Sequence, residues 1–347
     1  MDRVVAILLW LAVTAYALTG GADFGGGVWD LLAGGASRGL ATRDFINESV
    51  HPVWEANHVW LVIDLVVLWT AFPSAFAAIM STLFVPLSLV ALGIVLRGSG
   101  FALRVLVSGR LQSMTGGLFA LSSLITPFFM GAAAGAIVTG RVSAGRNGGE
   151  LSSWTSPTSL VMGALAVSAF AYLAATYLVA DARRRHAPTH ADYFRRRALV
   201  AAVVTGALGV AGLVLLRTSA RSTFSMLVGG RALPLFVASV VCGVGAVVLL
   251  LTGRFRLLRP VAASAFATMI WGWGAAQYPY LLPRSLTLAA AAAPRTTLVT
   301  ETVIVAVIVV LVGPAFALLY RLATRGALST EGGLSAGTGR QPENADS

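Results

Sequence analysis

The stretch "HPVWEANHVW", residues 51–60, sets Glu55 and His58 three positions apart at the front of a long apolar run. On a helix that spacing brings both side chains to one face. A carboxylate beside an imidazole is a pair suited to relaying protons near neutral pH, and an ionisable group carried into a membrane span is a functional candidate by default. Trp54 and Trp60 flank the pair as interfacial anchors would, so anchoring is the competing reading. Asn57 falls nearly opposite Glu55. Asp64 is nine residues beyond Glu55 but seven beyond Asn57, which puts it on the Asn57 face. Asn57 and Asp64 therefore form a second polar row, read as a contact to another helix or subunit or as part of a relay.

Few other acids interrupt the apolar segments. Asp23 and Asp30 lie in or just after "TGGADFGGG", residues 19–27, at the end of the first apolar segment. Glycines there allow a bend and close approach of neighbours. Asp23 is read equally as a cap of a helix-end turn and as a functional acid. The stretch is not a dinucleotide fingerprint, since it follows a helix and fails the G-x-G-x-x-G spacing at Asp30. Glu301 follows Thr296, Thr297 and Thr300 and reads as a first-turn carboxylate stabilised by the helix dipole.

The elements that carry these residues follow from composition. The chain has 347 residues, 57% hydrophobic and 11% charged, with a mean hydropathy of +0.81. Apolar runs of 18 residues or more can cross about 30 Å of hydrocarbon as helix. The chain thus reads as an all-α, polytopic membrane protein. Nine spans are expected, at roughly 4–20, 53–72, 75–97, 118–139, 159–180, 198–216, 232–252, 260–281 and 298–320. The second and third come from one apolar run, 59–96, split by the proline of "FPSAF". Gly131 and Gly135 mark a small-residue packing face, and the prolines of "QYPYLLP", 277–283, end the eighth span. Residues 1–325 form one transmembrane domain in this reading, and 326–347, rich in Gly, Ser, Thr and Glu, a disordered tail.

Every one of the 25 basic residues is arginine, and the net charge is +11. The arginines fall between apolar runs, so they read as loop charges facing anionic headgroups, and nucleic acid is not a partner. With nine spans, eight arginines lie on the side of the N-terminus and sixteen, Arg97 among them, on the other. The positive-inside rule then puts the N-terminus outside and the C-terminus in the cytoplasm. Residues 1–17 have the apolar core of a signal peptide, but Asp2 and Arg3 cancel, so the first span is read as retained. The one cysteine, Cys242, excludes an internal disulfide. Of the four histidines only His58 is near a membrane interior, so the chain is expected to bind no haem and no metal by itself.

At these residues the sequence resembles subunit II of the cytochrome bd quinol oxidases. "TGGADFGGG" resembles that family's T-D-G-F-D-x-G-x-G segment, and "SVHPVWEANHVWLV" (49–62) its P-x-W-[DE]-x-N-x-V-W-L segment. "AFPSAFA" (71–77), "GFALR" (100–104) and "YPYLLP" (278–283) follow in the family's order. The resemblance implies a heterodimeric terminal oxidase of the bacterial cell membrane that couples quinol oxidation to reduction of oxygen to water. Haems b and d would belong to the larger partner subunit, with a small accessory subunit left open. This chain would supply scaffold and cytoplasmic proton uptake. Glu55 stands at the family's acidic position linked to proton supply, and Asp23 at the second acid of the glycine-rich segment, so the proton-pathway candidates are Glu55, His58 and Asp23. The first acid of that segment is Gly20 here, and Asp64 stands where a small or apolar residue is expected. Two alternatives remain at this stage: a proton-coupled secondary transporter and a purely structural assembly subunit.

Overall fold

The computed structural model describes residues 1–34, 39–104, 110–145 and 149–324; the side chains of 51–56, 101–104, 110–115 and part of the last helix lie outside the described residues, as does the expected tail at 326–347. The helices are α1 (Asp2–Leu31), α2 (Leu40–Ala71), α3 (Pro73–Thr82), α4 (Phe84–Arg104), α5 (Arg110–Val138), α6 (Pro157–Arg184), α7 (Pro188–Ser219), α8 (Arg221–Val228), α9 (Leu233–Thr252), α10 (Leu258–Gln277), α11 (Leu288–Ala291) and α12 (Arg295–Thr324). Two short strands, β1 (Tyr280–Leu282) and β2 (Leu286–Thr287), pair antiparallel after α10. This ribbon departs from the all-α expectation: the prolines end α10 as anticipated, and the freed backbone then pairs with itself. The chain divides into two units, 1–303 and 304–347; the packing described below belongs to the first.

The chain is a multi-pass helical membrane protein. Five helices are long and apolar enough to cross a membrane: α1, residues 116–138 of α5, α6, α7 and α9. A sixth is formed if Asn57–Ala71 of α2 and α3, which meet at 117°, are one broken span. This count, made on the described residues, is below the nine expected. One reason is visible at 75–97. Pro73 starts α3 as the sequence suggests, but a second break at Leu83 divides that segment between α3 and α4.

The largest correction concerns residues 19–27. They form no turn: α1 runs unbroken through them to Leu31. Glycine inside a helix costs about 1 kcal/mol relative to alanine, and what it permits here is contact. A Cβ on Gly25 would run into the backbone carbonyl of Phe170 on α6, and one on Gly27 into the Ser123 hydroxyl of α5. α1 packs against α2, α5, α6 and α10, which places it at the centre of the first unit. Trp29 fixes its depth by donating an indole N–H to the Ala171 carbonyl at 2.7 Å. The expected small-residue face of α5 is also used: a Cβ on Gly135 would sit 2.6 Å from Ser159 Cα on α6.

Helix ends follow local chemistry. Ser156 caps α6 by accepting from the Ser159 N–H at 3.1 Å, with Pro157 at the first helical position. Gly253, at φ 72°, ends α9 in the left-handed conformation. Arg195 covers carbonyls left open there, donating to Leu250 O at 2.7 Å and Leu251 O at 2.9 Å. Asp181 accepts from Arg184 and, at 2.7 Å, from Arg259, while Arg185 pairs with Glu48 at 2.6 Å. Part of the arginine-rich face is therefore engaged by the protein itself.

Gly25→Ala is expected to lower the thermal midpoint of the purified protein by the equivalent of about 1–3 kcal/mol, as overpacking does. Gly206→Ala, where no atom lies within 4 Å of the added methyl, should leave it unchanged or raise it. Equal midpoints for the two variants would contradict the close-approach role of Gly25.

Candidate functional site

The polar centre of the bundle is an ion pair that the sequence reading did not contain. Arg97, on α4, is 1% exposed and is the largest fully buried side chain among the described residues. Its Nε lies 3.2 and 3.1 Å from the two carboxylate oxygens of Asp23, and its Nη2 lies 2.5 Å from Asp23 Oδ1 and 2.6 Å from the Asp23 carbonyl. The remaining arm, Nη1, donates to Ser123 Oγ at 2.5 Å. Ser123 in turn donates to the Phe119 carbonyl at 2.8 Å. The rings of Phe119 and Phe24 lie 4.2 and 4.9 Å from the guanidinium carbon.

Two expectations are corrected by this geometry. Arg97 is not a loop charge facing headgroups; it points into the bundle. Asp23 caps no backbone amides; both its oxygens are taken by the guanidinium. The fork of Arg97 matches a carboxylate in a way a lysine ammonium would not. The sequence carries no signal of this: Arg217 ends the apolar run 198–216 in the same way as Arg97 ends 59–96, and it is exposed.

One helical turn from Asp23, Thr19 and Asn57 meet. Asn57 is 1% exposed, and its Oδ1 lies 3.2 Å from Thr19 Oγ1. A Cβ on Gly20 would sit 3.2 Å from the same Asn57 oxygen. The place of the family's first acid is thus bordered by the Asn57 amide, which packs directly on the bare backbone of α1. Tyr16, one turn further, is buried with its hydroxyl 3.7 Å from Met130 Sδ. Tyr16, Thr19 and Asp23 share one face of α1 by their spacing of three and four.

On α2, Asn57 and Asp64 do lie on one face, as the spacing predicts: Asn57 is buried, and Asp64 is half-buried with Oδ1 enclosed. That oxygen has no hydrogen-bond partner among the described residues. His58 is half-buried on the same continuous helix. The Glu55 side chain lies outside the described residues, so its approach to His58 rests on the helical spacing of α2. Trp60 packs against Tyr16, Phe24 and Phe170, so it faces the bundle rather than the belt position that anchoring requires; Trp54 lies outside the described side chains. Asp30 is buried with Arg43 Nε at 3.6 Å. Glu301 is buried and stands two turns into α12, which begins at Arg295. The first-turn dipole account of Glu301 therefore fails, because that effect fades beyond the first turn.

Haem is the prosthetic group that the resemblance implies. The described histidines do not fit one. His190 stacks on Phe45, thirteen residues and about 20 Å of helix from His58, and His186 is exposed after α6. The apolar cavity of about 640 Å³ bounded by Val28, Leu124, Phe128, Val167 and Val204 has no histidine, cysteine or methionine in its wall. No cluster of three His, Cys, Asp or Glu exists among the described residues.

The chain is similar to known proteins along nearly its whole length. The sequence model of the family described as "Cytochrome bd terminal oxidase subunit II" matches residues 1–323. The cytochrome bd ubiquinol oxidase subunit 2 of Bacillus subtilis is 31% identical over 129 residues, 35% of this chain and 37% of the relative. Subunit 2 of the cytochrome bd-I ubiquinol oxidase of Escherichia coli is 29% identical over 143 residues, 40% of this chain and 37% of that protein. The matched stretches thus span little more than a third of either relative. A chain in the structure of the bd oxidase from Geobacillus thermodenitrificans shares the fold, with a TM-score of 0.71, 22% identity and coverage of 92% of this chain and 98% of that one.

Arg97→Leu and Asp23→Leu should each destabilise the protein by about 3–5 kcal/mol, because each strands an unpaired charge in the bundle. The double variant should lose less than either single one. Thermal unfolding of the four proteins measures the coupling; a double variant whose loss equals the sum would show that the pair is not the unit described.

Proposed function

Because the chain belongs to the cytochrome bd terminal oxidase subunit II family, we propose that it is the non-haem subunit of a bd-type quinol:oxygen oxidoreductase. The observation that carries this reading is the family match over residues 1–323, nearly the whole chain. The relatives are named as ubiquinol oxidase subunits; in this reading the complex oxidises a quinol and reduces oxygen to water. Haems b and d belong in this reading to a larger partner subunit, as the family resemblance implies. The complex sits in the bacterial cell membrane, with nine spans, the N-terminus outside and the arginine-rich face and C-terminus in the cytoplasm.

Within the complex the chain has two tasks. The first is scaffolding, for which the Asp23–Arg97–Ser123 network ties α1, α4 and α5 together. The second is proton uptake. Glu55 and His58, three apart on α2, form the cytoplasmic mouth of a proton path. Asp23 contributes to that path through its negative charge, which the Arg97 guanidinium holds in place. Thr19 and Asn57 continue the polar row beside it.

Co-isolation decides the main reading. The tagged chain, purified from its own membranes, should bring down a larger haem-bearing protein and show reduced-minus-oxidised haem bands. A colourless chain that is stable alone would overturn it. In the isolated complex, Glu55→Gln should reduce oxygen consumption at least tenfold with haem content unchanged, whereas Glu55→Asp should keep much of it. Full turnover in Glu55→Gln would remove Glu55 from the proton path.

A further inference from the structure

The apolar cavity of about 640 Å³ lies over α6, between α5 and α7 and beside the end of α1. It opens at the surface of the bundle, where Val200 and Val204 of α7 are exposed. The polar side-chain groups in its wall are already taken. The Ser168 hydroxyl donates to the Leu165 carbonyl at 3.0 Å, and the Trp29 indole N–H to the Ala171 carbonyl. An occupant that carried a polar group inside would lose its water for nothing, so the cavity suits hydrocarbon. From Val200 to Leu208 its α7 wall is about 12 Å long, close to the roughly 15 Å that one leaflet contributes to the hydrocarbon core.

A charge continues that wall. Arg197 precedes Val200 by three residues and Val204 by seven, so it stands on the same face of α7, one turn beyond the cavity. Its guanidinium carbon lies 3.3 Å from the centre of the Tyr193 ring. Among the described residues its hydrogen bonding is limited to a 3.5 Å contact with the Tyr193 carbonyl, so most of its donors are open. Other arginines of this side are committed: Arg195 to carbonyls at the end of α9, Arg185 to Glu48 and Arg259 to Asp181. We propose that the cavity and Arg197 together form a site for an anionic phospholipid, with an acyl tail in the cavity, the phosphate on Arg197 and the exposed Arg196 adding to the positive potential. Asp192, five residues before Arg197, falls on the other side of the helix, so no acid on α7 stands ready to receive the ammonium of a zwitterionic head. A quinone has a neutral head, which gains less from a guanidinium than a phosphate does. A second copy related by a two-fold axis along the membrane normal would set Arg197 against Arg197. The site needs the membrane and not the oxidase activity.

Lipid titration of the complex isolated from its own membranes tests the site. After detergent washing, native mass spectrometry counts bound dioleoylphosphatidylglycerol or dioleoylphosphatidylcholine. Phosphatidylglycerol should bind about tenfold more tightly. Arg197→Gln should bring the two lipids within about twofold, and Arg197→Lys should keep most of the preference. Val204→Trp, which fills the cavity mouth, should weaken both lipids at least fivefold. Val203→Trp, on the neighbouring exposed face of α7, should leave both unchanged. Equal binding of the two lipids to the unaltered complex, or a preference that survives Arg197→Gln, would remove the phosphate from Arg197. Equal binding by the two tryptophan variants would remove the tail from the cavity. A retained quinone that Val204→Trp expels, with no phospholipid lost, would overturn the assignment as a whole.

Discussion

A guanidinium buried in a membrane bundle is tolerable only when its charge is met and each of its nitrogens finds an acceptor, and the first unit of this protein is arranged around meeting those of Arg97. Asp23 supplies the opposite charge and three acceptor atoms, Ser123 takes the remaining arm, and two aromatic rings cover the cation. The partners come from three helices, so the network fixes their depth relative to one another. Hydrophobic burial alone would not, because lipid tails are as apolar as the helix surfaces they replace. Directional bonds give register where apolar contact does not.

The glycines of α1 make that network possible. Their absent side chains let α5 and α6 approach the backbone near Asp23, and a methyl on Gly27 would displace the Ser123 hydroxyl that Arg97 needs. Gly20 serves a neighbouring contact, where the Asn57 amide packs against bare backbone beside Thr19. The acid-poor version of the segment found here thus keeps its polar lining by a side chain from α2. Proton entry at Glu55 and His58 would begin beside this lining, with Asp23 acting through its charge.

Functionally, the chain divides labour between charges that are locked and charges that are open. Asp23, Asp30 and Asp181 are engaged by arginines of the same chain. Asp64 has no such donor within the described residues. Locked pairs hold helices; the enclosed Asp64 oxygen is held without a donor on the inner face of α2.

The sequence by itself determined the class of protein, the positions of most long helices, the break at Pro73, the packing role of Gly131 and Gly135 and the shared face of Asn57 and Asp64. These depend on hydropathy, proline chemistry and helical period, all of which act within a short stretch of chain. It also carried the family resemblance, because that rests on ordered local segments. Only the tertiary structure decided that 19–27 continues a helix, that Leu83 adds a second break, that Trp60 turns inward and that Arg97 belongs to the core. The glycine segment has the composition of a turn, and its helix exists because α5 and α6 press against it. Arg97 has the sequence position of a loop charge, and its burial depends on Asp23, 74 residues away. Local pattern cannot report a partner that distant: whether a charge is solvated or paired is settled by which helices meet, and that is a property of the packed bundle.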